Sequence, residues 1–494
     1  MNMMPAFNKK PLQHCLFLLF SLCVTACGGS SGGGQSNTQP DNHTEVTPPV
    51  DPNPSIPAPS QPRQWTAAGG QATIAYNENR PFLTLIPHLD INQLSGVSQG
   101  RELFITNWTP AGEGRALFDG LGPLFNAVSC TSCHSDSGRV APYLADGTTT
   151  DGVLFRIGNK QGEVHPIWGA QLQPKVIDNT VGLLAEGRVQ AHTKPANTQP
   201  FKNEGLSFYQ FELTPYDSNQ HLGGNQLGEY HLGARIAPQL LGMGLLDLVP
   251  EAVILANADP DDADNNGISG RVHWVFEGGQ KRIGRFGWKA INSSLRTQNA
   301  TAMSQDMGLT SPVHIDSSCT PDEPLCTLLP LGGSPEVSDA SLSAVVSFMT
   351  ALSVPERRIH DQARFDKGAD LFEQVGCAQC HIPTLTTGES QQFYELSNQT
   401  IYAYTDLLLH DMGAGLDDGV KEINAESYEW RTPPLWGIGI VAKDKNARFL
   451  HDGRAKTLKE AILWHGGEAE KTREKFQKLT EQEQQTLLQF LQGI

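Results

Sequence analysis

Two copies of one pentapeptide constrain this chain more than anything else in it. Cys130-Thr131-Ser132-Cys133-His134 and Cys377-Ala378-Gln379-Cys380-His381 both read Cys-x-x-Cys-His. That spacing is the attachment signature of a c-type haem. Two thiols so placed can add to the two vinyl groups on one side of a porphyrin. The histidine that follows then sits under the iron. The sequence therefore predicts two covalently bound haems on Cys130, Cys133, Cys377 and Cys380, with His134 and His381 as proximal iron ligands. Two rival readings use the cysteines alone. A four-cysteine zinc site would need both pairs to converge from far apart, and it leaves two adjacent histidines without a role. A thioredoxin-like redox pair needs no histidine at that position either.

The other cysteines close the count, which is nine. Lys9 and Lys10 precede an apolar run, Leu16 to Leu22, and then Val24-Thr25-Ala26-Cys27. A basic start, a short apolar core and small residues describe a secretory leader, and the run is too short for a spanning helix. Cys15 and Cys23 fall inside that leader. Val-Thr-Ala-Cys resembles a bacterial lipobox, with Cys27 as the lipidated residue. The plainer alternative is an ordinary leader with a chance cysteine, but the glycine-serine run after Cys27 favours the lipobox. Residues 1–26 are thus expected to be a lipoprotein signal peptide. Residues 27–62, rich in Pro, Asn, Gln, Thr and Ser, are expected to be a disordered tether. The expected location is the periplasmic face of the cell envelope, anchored by lipid in the outer membrane. Only Cys319 and Cys326 remain, and in an oxidising compartment they read as a disulfide closing a small loop. The formal net charge of −17 argues against nucleic acid as a partner.

Globular sequence begins near Trp65. Helices are predicted near 112–119, 339–353, 364–374, 457–465 and 480–492, the last opened by the capping pattern Thr480-x-x-Glu483. Gly114-Arg115-Ala116-Leu117-Phe118 and Gly368-Ala369-Asp370-Leu371-Phe372 read as one helical unit used twice, each ahead of its Cys-x-x-Cys-His. The segment 140–330 has strand-like pieces and many turns, and reads as an elaborated insertion. The expected fold class is mainly α, with a large loop-rich insertion and some short strands.

Further stretches carry a resemblance. Gly120-Leu121-Gly122-Pro123-Leu124-Phe125-Asn126, Arg235-Ile236-Ala237-Pro238, Gly284-Arg285-Phe286-Gly287-Trp288-Lys289 and Phe449-Leu450-His451-Asp452-Gly453-Arg454 resemble the di-haem oxidoreductase (di-haem peroxidase-like) family. That family is related to bacterial di-haem cytochrome c peroxidases and to MauG-type enzymes. The resemblance implies two cytochrome c-like domains, here 63–354 with the insertion and 355–494. It also implies that peroxide reacts at the N-terminal haem while the C-terminal haem relays electrons. In the relatives a methionine or tyrosine fourteen residues after the loop histidine binds the C-terminal iron. Counting from His451, that position holds His465, which implies His381/His465 coordination. Met412 and His410 are the competitors, and His451 is expected to order its loop. A bis-histidine iron should have a lower potential than one ligated by methionine.

Around the first iron the relatives use a glutamine and a glutamate. The matching stretch here offers Gln171 or Gln173 for positioning and Glu186 for proton transfer. His165, His192, His221 and His231 lie in the same region, and any of them would close that iron if it bound. Asp262, Asp264, Asn266 and the Ile268 carbonyl fall at the first four ligand positions of a calcium loop, with Gly267 at its turn. His273 stands where a bidentate glutamate is required, so a metal-free Asx-rich turn is the alternative. Trp168 and Trp288 are candidates for electron relay or for packing. Three functions follow from the resemblance: a peroxidase, a MauG-like oxidase of a protein or organic substrate, and a plain electron-transfer cytochrome. The partners implied are peroxide or another small oxidant, and a small periplasmic cytochrome or cupredoxin as electron donor.

Overall fold

The computed structural model describes residues 66–113, 117–202, 204–216 and 227–494. The leader, Cys27 and the tether lie outside the described residues, as do Gly114–Ala116 and His221. Arg63–Ile494 clusters as one unit. No helix among the described residues is long and apolar enough to cross a membrane.

Two helix crossings, each closed at a glycine, lie ahead of the two Cys-x-x-Cys-His turns. Helix Ile91–Ile105 starts at Asp90, whose carboxylate accepts from Asn92 N and Gln93 N while its own N–H donates to Gln93 Oε1. Such a cap contributes about 1 kcal/mol. The helix crosses Asp339–Thr350, and a Cβ on Gly100 would run into the Ala344 carbonyl. Helix Gln362–Val375 crosses Glu481–Gly493 in the same way, where a Cβ on Gly368 would lie 2.6 Å from Phe490 Cβ and 2.7 Å from the Thr486 carbonyl. The helical unit before the first turn is therefore Gly100-Arg101-Glu102-Leu103-Phe104, not the expected 112–119. Residues 111–113 and 117–119 are turn and bridge, with Glu113 N bonded to Pro110 O and Gly112 at φ +78°. Proline and glycine there punctuate the chain before a helix can start.

The predicted helix at 457–465 is Leu458–Leu463, and the last one carries the expected capping box between Thr480 and Glu483. Helices Leu295–Met307 and Glu470–Lys478 had no prediction.

The expectation of a mainly helical fold is overturned. The described chain is 28% helix and 18% strand, the strand being spread over seven two-stranded sheets. The insertion supplies the longest of them. Val153–Gly158 pairs antiparallel with His231–Ile236, and Gly187–Pro195 pairs with Ser207–Pro215 over nine residues. Trp274–Glu277 turns into Gln280–Ile283 through Gly278 and Gly279, both at positive φ, as a tight hairpin requires. The insertion thus adds two local hairpins and one longer-range pairing to the helices Met243–Asp247, Glu251–Ala256 and Leu295–Met307.

Three apolar clusters underlie this arrangement. One gathers Phe104, Phe348 and Leu342 with Leu385, Ile401, Leu408 and Trp436. A second holds Phe365, Phe372, Phe476, Phe490 and Trp464. A third lies under the long hairpins and includes Phe155, Ile157, Trp168 and Leu172. Each fully buried phenylalanine contributes roughly 2–3 kcal/mol.

Candidate functional site

The two Cys-x-x-Cys-His segments take the same main-chain form. Each is a short 3₁₀ turn, Cys130–Ser132 and Cys377–Gln379. In each the histidine N–H donates to the carbonyl of the first cysteine, His134 to Cys130 at 2.9 Å and His381 to Cys377 at 3.0 Å. All four thiols are half-buried, as are both histidines. Yet the protein around them pushes the Cys130 and Cys377 thiols up to about 12 by burial, and Cys133 further still. A side chain that water reaches from one side while protein crowds the other lines an internal face. So raised, the Cys130, Cys133 and Cys377 thiols stay protonated, which disfavours thiolate chemistry at them.

In the second site His381 Nδ1 donates to the Tyr404 carbonyl at 3.0 Å. Tyr404 is held at φ +55°, a conformation bulky residues adopt only when their surroundings impose it. His465 follows helix Leu458–Leu463, whose Thr457 cap accepts from Glu460 N at 3.0 Å. Its Nδ1 donates to the Ala461 carbonyl at 2.8 Å. Both Nδ1 atoms are thus spent on carbonyls, which leaves the lone pair on each Nε2. Burial, and after it the neighbouring His465, push His381 down to about 4. Burial lowers His465 as well. Two neutral imidazoles therefore share one buried neighbourhood.

The competitors sit differently. His410 places Nε2 2.8 Å from Asp406 Oδ2 and Nδ1 2.7 Å from Glu468 Oε2. Burial opposes its charge, but hydrogen bonds to Asp406, Cys380 and Glu468 outweigh it and hold its pKa well above the ordinary value. Both ring nitrogens of His410 are engaged. Met412 is half-buried against the second apolar cluster.

In the first site His134 Nδ1 lies 3.4 Å from the Gly138 carbonyl, a longer and weaker bond. Burial lowers its pKa. The predicted glutamines meet beside this turn at the end of helix Leu295–Met307. Gln171 Nε2 donates to Asp306 Oδ1 at 2.8 Å and to the Gln305 carbonyl at 2.9 Å. Gln173 Nε2 donates to the Gln305 carbonyl at 2.7 Å, and its Oε1 accepts from Asn126 Nδ2 at 2.6 Å. Arg156 Nη1 donates to Gln171 Oε1 at 3.1 Å. Burial raises Asp306 to about 6 against the bond from Gln171 and the charge of Arg156. Its charge in turn adds to the rise of both first-motif thiols. Glu186 reaches this group through the Gln173 N–H, which donates to Glu186 Oε2, and it faces Glu323.

Of the other histidines, His165 accepts the Ile167 and Trp168 N–H groups on Nδ1 and stacks on Trp168. His192 pairs with Glu212 on the outer hairpin, and His231 is exposed. Cys319 and Cys326 form a disulfide. In the acidic loop the carboxylates of Asp259, Asp262 and Asp264 gather. Asn266 Oδ1 instead accepts from Ile268 N at 2.7 Å, Gly267 N donates to Asp262, and Lys471 Nζ donates to the Asn266 carbonyl. Main-chain N–H groups of the loop thus already take up several of its acceptors.

Two residues escaped the sequence reading. Asp306 is an acid in the last turn of a helix, where the dipole disfavours a carboxylate; that misplacement was an available signal. Trp430 had none. Its ring stacks on His451 at 3.6 Å, with Lys289 Nζ 3.9 Å and the Arg235 guanidinium 4.6 Å from its centroid. Three of the quoted segments converge here, because Ile236 N donates to the His451 carbonyl and Trp288 Nε1 to the Ile236 carbonyl. Arg235 in turn pairs with Asp418 and Glu422.

A haem fits the residues present. Each turn supplies two thiols and an imidazole whose Nε2 is left for a metal. Arg139 Nη2, five residues beyond His134, and Trp464 Nε1, next to His465, are buried without a hydrogen-bond partner among the described residues, as donors facing an acidic group would be.

Two neighbouring neutral imidazoles beside one turn, and a buried acid with amides beside the other, suit a redox protein of two haem-type turns. The family described as “Di-haem oxidoreductase, putative peroxidase” matches residues 217–494, more than half of the chain, and the protein belongs to that family. The matched residues hold the second turn and His465, whereas the first turn precedes them. Among solved structures the chain is similar to hydrazine synthase of Kuenenia stuttgartiensis pressurised with xenon, at 14% identity and a TM-score of 0.34, over 91% of this chain and 100% of that one. So loose a likeness transfers no chemistry. Comparison with curated proteins finds no match.

Proposed function

We propose that this chain is a peroxidase-like di-haem oxidoreductase, reducing peroxide at the His134 site with electrons passed through the His381 site. One observation carries the reading: the same pentapeptide has an imidazole partner in one site and a buried acid with two glutamines beside the other. When bound, the two haems supply the electron-transfer chemistry, held through thioether links to Cys130, Cys133, Cys377 and Cys380. His381 and His465, each with Nδ1 bonded to a carbonyl, would hold the second haem through their Nε2 atoms, which suits a relay more than a reactive centre. His134 would hold the haem of the first site. There Gln171 positions Asp306, whose raised pKa lets it take or give a proton near neutral pH. Reducing one peroxide to two waters consumes two electrons and two protons, so a site of this kind needs such groups within reach. Arg139 Nη2 and Trp464 Nε1 would be donors for acidic groups of the bound cofactors. Export by the leader and lipidation at Cys27 would hold the protein at the periplasmic face, where a small cytochrome or cupredoxin can donate electrons.

Ferric-state spectroscopy of the purified holoprotein tests the reading. The expected result is one low-spin haem and a second that binds cyanide and reacts with peroxide, if necessary after one-electron reduction. Two low-spin haems, indifferent to cyanide before and after that reduction, would make it a plain carrier.

A further inference from the structure

Set aside as an iron ligand, His410 still occupies a costly position. It is 3% exposed, and Asp406 beside it is 2% exposed. His410 Nε2 lies 2.8 Å from Asp406 Oδ2, and Nδ1 lies 2.7 Å from Glu468 Oε2. The far oxygen of each acid is already an acceptor. Asp406 Oδ1 takes the Leu408 N–H at 2.9 Å. Glu468 Oε1 takes the Ser269 hydroxyl at 2.8 Å and the Asp411 N–H at 3.2 Å. Both acids are therefore set up as ionised carboxylates, which only accept hydrogen bonds. A neutral imidazole has one donor nitrogen and one acceptor nitrogen. With a carboxylate facing each nitrogen, both must carry protons, so the ring is an imidazolium locked between two acids.

Three segments bring this ion to the second turn. Strand Leu409–Asp411 carries the ring, and Leu409 exchanges main-chain bonds with Arg271 at 2.9 and 3.0 Å. A Cβ on Gly270 would collide with His410 Cε1, so only glycine lets that segment lie against the ring. Cys380 Sγ is 3.7 Å from His410 Nδ1, and Cys380 directly precedes His381. Glu468 stands three residues beyond His465. A Cβ on Gly467 would collide with the Asp411 carbonyl, so the chain leaving His465 is pressed onto the same strand. The ion thus touches the cysteine beside His381 and, through Glu468, the loop that starts at His465. The matching cysteine of the first turn, Cys133, instead gives its thiol hydrogen to the Asp151 carbonyl at 2.6 Å.

Resting on the di-haem reading, we propose that His410 is a fixed cation that sets the reduction potential of the second site. A positive charge beside an iron porphyrin favours the reduced form, which carries one positive charge less. Two imidazoles on one iron keep the potential low compared with an imidazole and a methionine. His410 offsets that lowering at the Cys380 edge, so the second site can accept an electron from its donor and still pass it to the first. Asp406 and Glu468 fix the ring and temper its charge. No bond forms or breaks at His410 and no proton leaves it. It is a positioning residue that acts by place and charge.

Redox titration of the full-length holoprotein, followed optically at each haem, tests the charge without any turnover. His410→Gln should lower the midpoint potential of the second haem. The expected loss is about tenfold in the ferrous-to-ferric ratio at a fixed electrode potential, or about 59 mV for one electron. Glu468→Gln removes a negative charge, leaves the ring paired with Asp406, and should raise the same potential. That variant keeps the test alive if His410→Gln does not fold. The low-spin signal of the second haem and the potential of the first should stay as in wild type. Shifts of opposite sign in the two variants support the fixed cation. No shift in Glu468→Gln, or shifts of the same sign in both, overturns it, because loosened packing would move both alike. Fewer than two haems in the denatured mass is a different failure: it removes the di-haem reading, and this role for His410 with it.

Discussion

The two Cys-x-x-Cys-His turns are alike in sequence, in 3₁₀ geometry and in the bond from histidine N–H to first-cysteine carbonyl. They differ in what stands around them. His381 is fixed by a 3.0 Å bond to the carbonyl of Tyr404 and shares its burial with His465. His134 has a looser 3.4 Å bond to Gly138, and the groups near its turn are Asp306, Gln171, Gln173 and Asn126. The tighter Nδ1 bond fixes the His381 ring more firmly. The difference teaches that identical pentapeptides can sit in different chemical surroundings, and on the proposed reading those surroundings decide each site's use: two imidazoles would suit a relay, and an acid with amides would suit a protonated substrate.

The harshest way to break this comparison is to delete each turn separately. Cys130→Ala with Cys133→Ala, and Cys377→Ala with Cys380→Ala, should each lower the mass of the denatured protein by one haem. The first pair should abolish the reaction with peroxide. The second should spare a single reaction with peroxide and stop continuous turnover. If both deletions have the same kinetic outcome, the division of labour is wrong. A milder cut is His465→Ala. It should remove one low-spin signal and open the second site to cyanide, making the two sites alike. His410→Ala is its control. That variant should keep the signal but lose roughly 3–5 kcal/mol in urea denaturation, because Asp406 and Glu468 are left buried without their shared cation. Loss of the low-spin signal in His410→Ala, with retention in His465→Ala, would exchange their roles.

Much of the contrast could not be read along the chain. The turns themselves were legible because their chemistry is local, within five residues. So was the Cys319–Cys326 pair, seven residues apart, and so was the Thr480 cap. Where two local patterns compete, only packing decides. Gly100-Arg101-Glu102-Leu103-Phe104 and Gly114-Arg115-Ala116-Leu117-Phe118 look equivalent in sequence, and it is the packing of the first against Ala344 that marks it as the helical unit. The helical bias failed because the insertion spends its residues on short hairpins, and pairings such as Thr73 with Val354 leave no trace in a window of sequence. Position alone suggested His465, by way of a resemblance. Asp306 offered only its unfavourable place in the last turn of a helix, a signal too weak to tie it to a turn more than 170 residues upstream.

Asp306 gives the finest test of the comparison. Its carboxyl is raised from 3.8 to about 6, chiefly by burial. A raised folded pKa means that the folded state favours the protonated form. The stability this contributes is complete below about pH 4 and is lost as pH rises through about 6. Asp306→Asn, which keeps the shape and cannot ionise, should therefore match wild type in acid and become the more stable of the two at pH 7, as urea midpoints across that range would show. The chemistry should run the other way. If Asp306 moves a proton for the first site, the limb near pH 6 should vanish from the single-turnover reaction with peroxide, and the rate should fall by roughly 10²–10⁴-fold. The second site, read by the low-spin signal of the His381 haem, should not change. A stability crossover without any kinetic change would make Asp306 a strained structural acid and shift proton handling to Glu186. A change at the second site would mean that the two environments are not separate at all.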